Sequence, residues 1–164
     1  MGRHRRSDAG RAATGRATGV TDTNGAHTES YGPENLYGYA AAAEAEVLKL
    51  VNDERAKVGC SPVAANSSLS DLAQTFSEDM ASRDFFDHTD PSGLSPWDRA
   101  AKAGITSLGG ENIARGQADA AAVMEAWMNS PGHKANILNC DFKTLGVGAH
   151  FGSGGPWWTQ DFGY

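Results

Sequence analysis

The hydrophobic positions of this chain change period along its length. Over residues 41–58, Val47, Leu50, Val51 and Glu54 recur with a helical period, and Gly59 stands where a helix-ending residue is expected. Residues 68–83 place Leu69, Leu72, Ala73, Phe76 and Met80 on one helical face, with Ser68 or Ser70 available as the N-cap. Ser95-Pro96 reads as a cap followed by proline at the first helical position, opening a short helix over 97–103 that stops at Gly104. Residues 111–115 read as a short strand. A further helix over 118–129 turns Ala122, Val123, Ala126 and Trp127 inward, Pro131-Gly132 interrupts it, and one more turn covers 134–138. Beyond that the period falls to two. Leu145, Val147 and Ala149 alternate with Gly146, Gly148 and His150, and after a glycine-rich turn the alternation resumes over 157–162, which is a hairpin signal. Helical pieces followed by paired strands predict an α+β domain.

The first 40 residues break this order. They are rich in Gly, Arg, Thr and Ala, lack apolar periodicity, and predict a disordered tail docked at most through Tyr31, Leu36, Tyr37 and Tyr39. Five arginines against four carboxylates make that tail weakly basic, so the net charge of −6 places −7 on residues 41–164. An acidic body argues against a nucleic-acid partner. No apolar run is long enough to span a membrane. The two cysteines, Cys60 and Cys140, each flank a turn-like segment at the edge of the body. One disulfide is the expected state and implies an oxidising compartment; a pair of buried thiols is the alternative.

Three polar breaks between apolar segments carry the ionisable candidates. His88 lies in Asp87-His88-Thr89-Asp90, Glu111 follows Gly109-Gly110, and His133 follows Pro131-Gly132. Two imidazoles and one carboxylate are the donor types of a Zn²⁺ site, or of proton transfer. Each alone also has a plain structural role as a turn or capping residue. The paired glycines before Glu111 leave room for another backbone or a ligand to approach. Ser92, Ser95 and Ser130 are conceivable nucleophiles, but no Gly-x-Ser-x-Gly elbow accompanies them. The four tryptophans, Trp97 included, are expected in the core.

The ordered motifs Leu50-Val51-Asn52-Asp53-Glu54-Arg55, Phe86-Asp87-His88-Thr89, Gly110-Glu111-Asn112-Ile113-Ala114, Trp127-Met128-Asn129-Ser130-Pro131-Gly132-His133 and Trp158-Thr159-Gln160-Asp161-Phe162-Gly163 resemble the CAP superfamily of cysteine-rich secretory, antigen 5 and pathogenesis-related proteins, in its bacterial SCP-like branch. The likeness covers residues 41–164. It implies an α-β-α sandwich with a small antiparallel sheet between helices, and a secreted or cell-surface monomer. It also implies a cavity of two His and two Glu able to hold a divalent ion. His88, Glu111 and His133 match three of these. Ser130 stands where the second Glu belongs, and Asn112 and Asn136 match residues that support the cavity. The resemblance therefore implies a binding or interaction domain for an extracellular protein, lipid or cell-wall ligand, with a Zn²⁺-type cavity. It leaves a metal-assisted hydrolase with Glu111 as general base, or a sterol or lipid carrier, as alternatives.

Overall fold

The computed structural model describes residues 33–164, so the expectations for residues 1–32, Tyr31 included, lie outside the described residues. The elements run α1 (Pro33–Lys57), β1 (Ala64–Ala65), α2 (Ser67–Arg83), α3 (Pro96–Lys102), β2 (Leu108–Arg115), α4 (Ala120–Met128), α5 (Pro131–Ile137), β3 (Thr144–His150) and β4 (Trp157–Gly163). α1 therefore starts eight residues before the expected 41, and Tyr39 on its exposed side meets the Phe151 ring edge-on at 4.8 Å.

The strands form one sheet in the order β1-β3-β4-β2. β3 and β4 are the expected antiparallel hairpin, and β2 pairs antiparallel with β4 along its whole length. The fourth strand was not legible. β1 is two exposed residues paired parallel to β3, too short to show a period, so the sheet is mixed at that edge.

Helices cover both faces. Gly146 and Gly148 let α2 lie directly on β3, because a Cβ at either position would overlap the helix backbone at Leu69 or Ala73. On the opposite face Leu145, Val147 and Ala149 join Val47 and Val51 of α1 and Val123 and Trp127 of α4 in the main core. Burying each such large apolar side chain contributes roughly 1.5–3 kcal/mol. Trp97 is the tryptophan that departs from expectation. It is 55 % exposed, and its indole N–H donates to the Leu108 carbonyl at 3.2 Å.

Local chemistry explains where the helices begin and end. α2 is capped by Asn66, whose side chain accepts from the Leu69 N–H at 3.0 Å, and not by Ser68 or Ser70. The chain leaves β1 still extended at Asn66, so both serines already lie inside the first turn. Ser95 and Asp98 form a reciprocal capping box on α3. α1 ends with Gly59 at φ +80 and a bond from the Cys60 N–H to the Arg55 carbonyl, the left-handed termination its glycine predicted. In α4 the buried face is Ala120, Val123, Met124 and Trp127, so Met124 takes the place expected for Ala126, which is exposed.

Cys60 and Cys140 are bonded, closing a loop of 80 residues between the end of α1 and the segment before β3. Replacing both by serine is expected to lower stability by about 4 kcal/mol, as the loss of a long loop constraint on the unfolded chain. Urea denaturation of the double variant beside wild type checks this; a change under about 1 kcal/mol would contradict the constraint.

Candidate functional site

β2 is the open edge of the sheet, and its successive residues face opposite layers. Ile113 packs with Phe76 and Met80 of α2, so Glu111 shares that face; Ala114 belongs to the other core, and Asn112 shares that one. The glycines before Glu111 admit neighbours rather than a ligand. A Cβ at Gly109 would run into the Phe142 and Tyr164 rings, and one at Gly110 would press on the Asn136 amide at 3.0 Å.

On the α2 face Glu111 is the centre of a charged cluster. Its side chain is 1 % exposed. Arg99, from α3, clamps both carboxylate oxygens, with Nη1 donating to Oε2 at 3.1 Å and Nη2 to Oε1 at 3.0 Å. The same Nη2 donates to the His88 carbonyl at 2.8 Å, which fixes the loop carrying that histidine. The Arg99 guanidinium lies 3.4 Å from the centre of the Phe76 ring, a stacked cation on an apolar wall. His88 Nδ1 sits 3.1 Å from Glu111 Oε1. With Nδ1–H donating to the carboxylate, Nε2 is the nitrogen left for a ligand, and the His88 side chain is 46 % exposed.

Asp161 completes the cluster from β4, directly across the ladder from Glu111. Burial, and next the charge of Glu111, push its carboxyl well above the usual carboxylate range. Burial alone would also raise Glu111, but hydrogen bonds from His88, Asp161 and Arg99 outweigh it and hold Glu111 below that range. Asp161 is thus the protonated member of the pair and Glu111 the ionised one. Among the described residues no donor reaches either Asp161 oxygen, which leaves nothing to stabilise a charge on this buried carboxyl.

The other face carries an amide network. Asn112 Nδ2 donates to the His133 carbonyl and to Gln160 Oε1, both at 3.0 Å. Asn136 Nδ2 donates to Asn112 Oδ1 at 2.9 Å and, more weakly, to the Glu111 carbonyl at 3.4 Å. These bonds fix α5 against β2 and so place His133, which is half-buried. Burial, and then the charge of His88, lower the His133 pKa, so its ring is neutral at neutral pH. His88 and His133 are thus both tied to β2, the first through the Glu111 carboxylate and the second through the Asn112 amide.

The expected cavity is therefore assembled in part. His88 and Glu111 are in contact, Asn112 bonds the His133 carbonyl and Asn136 bonds Asn112, and Ser130 is the N-cap residue of α5, with no side-chain cap bond and no ionisable group. The second carboxylate is Asp161. Neither Asp161 nor Arg99 was singled out from the sequence. The signal for Asp161 was its place on the same strand face as Trp157, a position that only the register with β2 turns into a partner for Glu111. For Arg99, in a seven-residue helix, no signal was present.

A resident divalent ion does not fit this set. Two imidazoles are suitable donors, but both oxygens of the one matching carboxylate are already held by a guanidinium, whose positive charge opposes a second cation. Among the described residues no group of three or more His, Cys, Asp or Glu side chains is arranged to hold a metal.

A mixed sheet covered by helices on both faces, with His88, Glu111 and His133 gathered at its open edge, defines a CAP-type domain. The sequence pattern of the CAP family, the cysteine-rich secretory protein family, matches residues 48–162, and the chain belongs to that family. It is 40 % identical over 137 residues to the protein YkwD of Bacillus subtilis, covering 83 % of this chain and 51 % of that one. It is 33 % identical over 121 residues to the B. subtilis membrane protein YlbC, covering 73 % and 34 % respectively. The chain thus spans about half or less of the curated relatives it matches. Among solved structures it is similar to an extracellular SCP-domain protein of Bacillus anthracis, with TM-score 0.77 and 28 % identity over 84 % of this chain and 45 % of that one. An outer surface protein of Borrelia burgdorferi shares the fold at TM-score 0.65 and 22 % identity, over 71 % of this chain and 88 % of that one. No helix among the described residues is long and apolar enough to cross a membrane.

Proposed function

We propose that this domain acts outside the cell as a binding module, and that the imidazoles of His88 and His133 are the groups its ligand meets. The observation that carries this reading is the state of Glu111. Its carboxylate is buried, bidentate with Arg99 and bonded to His88. A general base needs an accessible lone pair and a pKa near the working pH, and Glu111 has neither. It acts instead as an internal anion that orients His88 and leaves Nε2 outward. The Cys60–Cys140 bond and the extracellular relative from B. anthracis support the location. A divalent ion is one ligand two imidazoles accept, held by two nitrogens only and therefore weakly.

The test titrates the isotope-labelled domain with cell-wall glycan fragments, short peptides and Zn²⁺ separately, while assaying turnover of peptide, ester and cell-wall substrates. Saturable shifts of the His88 and His133 ring signals, absent in His88→Ala with His133→Ala, are expected without turnover. Hydrolysis that disappears in Glu111→Gln would overturn the reading in favour of a hydrolase.

A further inference from the structure

Away from β2, a groove of about 720 Å³ runs between α2 and the C-terminal end of α3. Its floor is apolar, formed by Leu72 and Phe76, and Ile105 lines the far side. The near wall is a single stripe of α2 on which Asp71, Thr75 and Glu78 follow one another at helical spacing. Asp71 and Glu78 are both exposed. The other charged groups of the groove are largely committed. Asp79 is paired with Arg83 at 2.6 Å, Asp90 accepts from the Ser92 and Leu94 N–H groups, and Arg99 is neutralised by Glu111. Among the described residues the charges without an ion-pair partner are thus Asp71 and Glu78 on one wall, Glu78 also accepting from the Gln74 amide at 3.1 Å, and Lys102 on the other.

We propose that this groove docks an extended basic peptide segment, with two cationic side chains three positions apart meeting Asp71 and Glu78 and an aliphatic side chain between them lying over Leu72, Phe76 and Ile105. The spacing follows from geometry. Seven residues of α2 separate the carboxylates by about 10 Å along the helix axis. In a polyproline II segment, residues i and i+3 lie on one side and are about 9 Å apart. The open carboxylates disfavour an anionic lipid in the same groove, since a carboxylate or phosphate headgroup would face like charge. The net charge of −6 adds a long-range attraction for a basic segment.

The test uses the full chain and a fluorescein-labelled peptide carrying Lys-Pro-Leu-Lys, with Glu-Pro-Leu-Glu as control. Saturable anisotropy is expected for the basic peptide alone, weakening as salt rises. Asp71→Asn with Glu78→Gln, both at exposed positions, should weaken binding roughly tenfold, and Lys102→Glu should strengthen it. Amide shifts should map to Leu72, Thr75 and Ile105. Equal affinity of the double variant, absence of saturation at millimolar peptide, or shifts confined to His88 and His133 would each overturn the proposal. The substituted residues, Asp71, Glu78 and Lys102, are not among the partners of His88, Glu111 or His133, so loss of peptide binding in these variants is distinguishable from loss of the imidazole site.

Discussion

Arg99→Met is expected to lower stability by about 3–5 kcal/mol at neutral pH and by much less at pH 3. The methionine keeps much of the volume over Phe76 but removes the cation that clamps Glu111. At neutral pH the variant must bury a carboxylate with no countercharge. The sign of the pH dependence is fixed by the two acids. Glu111 has a lowered pKa in the fold, so its contribution is present above its unfolded value and lost as pH falls through the folded one. Asp161 has a raised pKa, so its contribution is present below the unfolded value and is lost as pH rises toward the folded one. In the variant Glu111 protonates more readily, and the penalty should shrink on acidification. Urea denaturation of both proteins between pH 3 and pH 7 measures this. A deficit independent of pH would mean that the stacking on Phe76, and not the charge, is what Arg99 supplies.

The second large effect concerns Arg55, which is fully buried at the end of α1. Its guanidinium donates to four carbonyls: Ser61 from Nε, Ile137 and Asn139 from Nη1, and Phe142 from Nη2, at 2.8–3.1 Å. These carbonyls belong to the turn after α1, to the last residue of α5 and to the irregular chain between α5 and β3, which have no ladder of their own. Arg55→Met strands three of them and leaves the Asn139 carbonyl only the Phe142 N–H at 3.3 Å, and a loss of roughly 4–6 kcal/mol is expected, given about 1–3 kcal/mol for each buried acceptor left unpaired, with some taken up by water. Arg55→Lys should recover little, because one ammonium cannot reach carbonyls spread around a planar fork. Thermal and urea unfolding check both variants. A lysine variant within about 1 kcal/mol of wild type would show that charge alone, without the fork geometry, holds this junction.

Most elements were legible because their faces differ. α2 carries a clean apolar stripe, α3 announces itself with Ser95-Pro96, and the small residues of β3 alternate with large ones. β4 shows where that logic fails. All seven of its residues are buried, so polar does not mean outward, and Asp161 is hidden among Thr159 and Gln160 as one more polar position on a strand. Only the pairing with β2 gives it a partner. His88 and Glu111 could be chosen for their glycine- and proline-marked surroundings, but the cation that clamps Glu111 comes from a short helix whose cap is marked in the sequence while its arginine is not. The guanidinium that occupies the Glu111 carboxylate is what the donor types alone do not reveal.

The edge strand bears on how this domain can vary over evolutionary time. Glu111 and Asn112 are neighbours in the chain, yet each addresses a different layer, and the carbonyls of Leu108, Glu111 and Ile113 are each taken by a side chain from Trp97, Asn136 or Trp127. A substitution here changes the contacts of one side chain in one layer. A single inserted or deleted residue within Leu108–Arg115 would exchange the two layers, delivering an amide to Arg99 and a carboxylate to the Asn136 network. Length changes are therefore expected to collect in the loops on either side, and the strand itself to vary by replacement only.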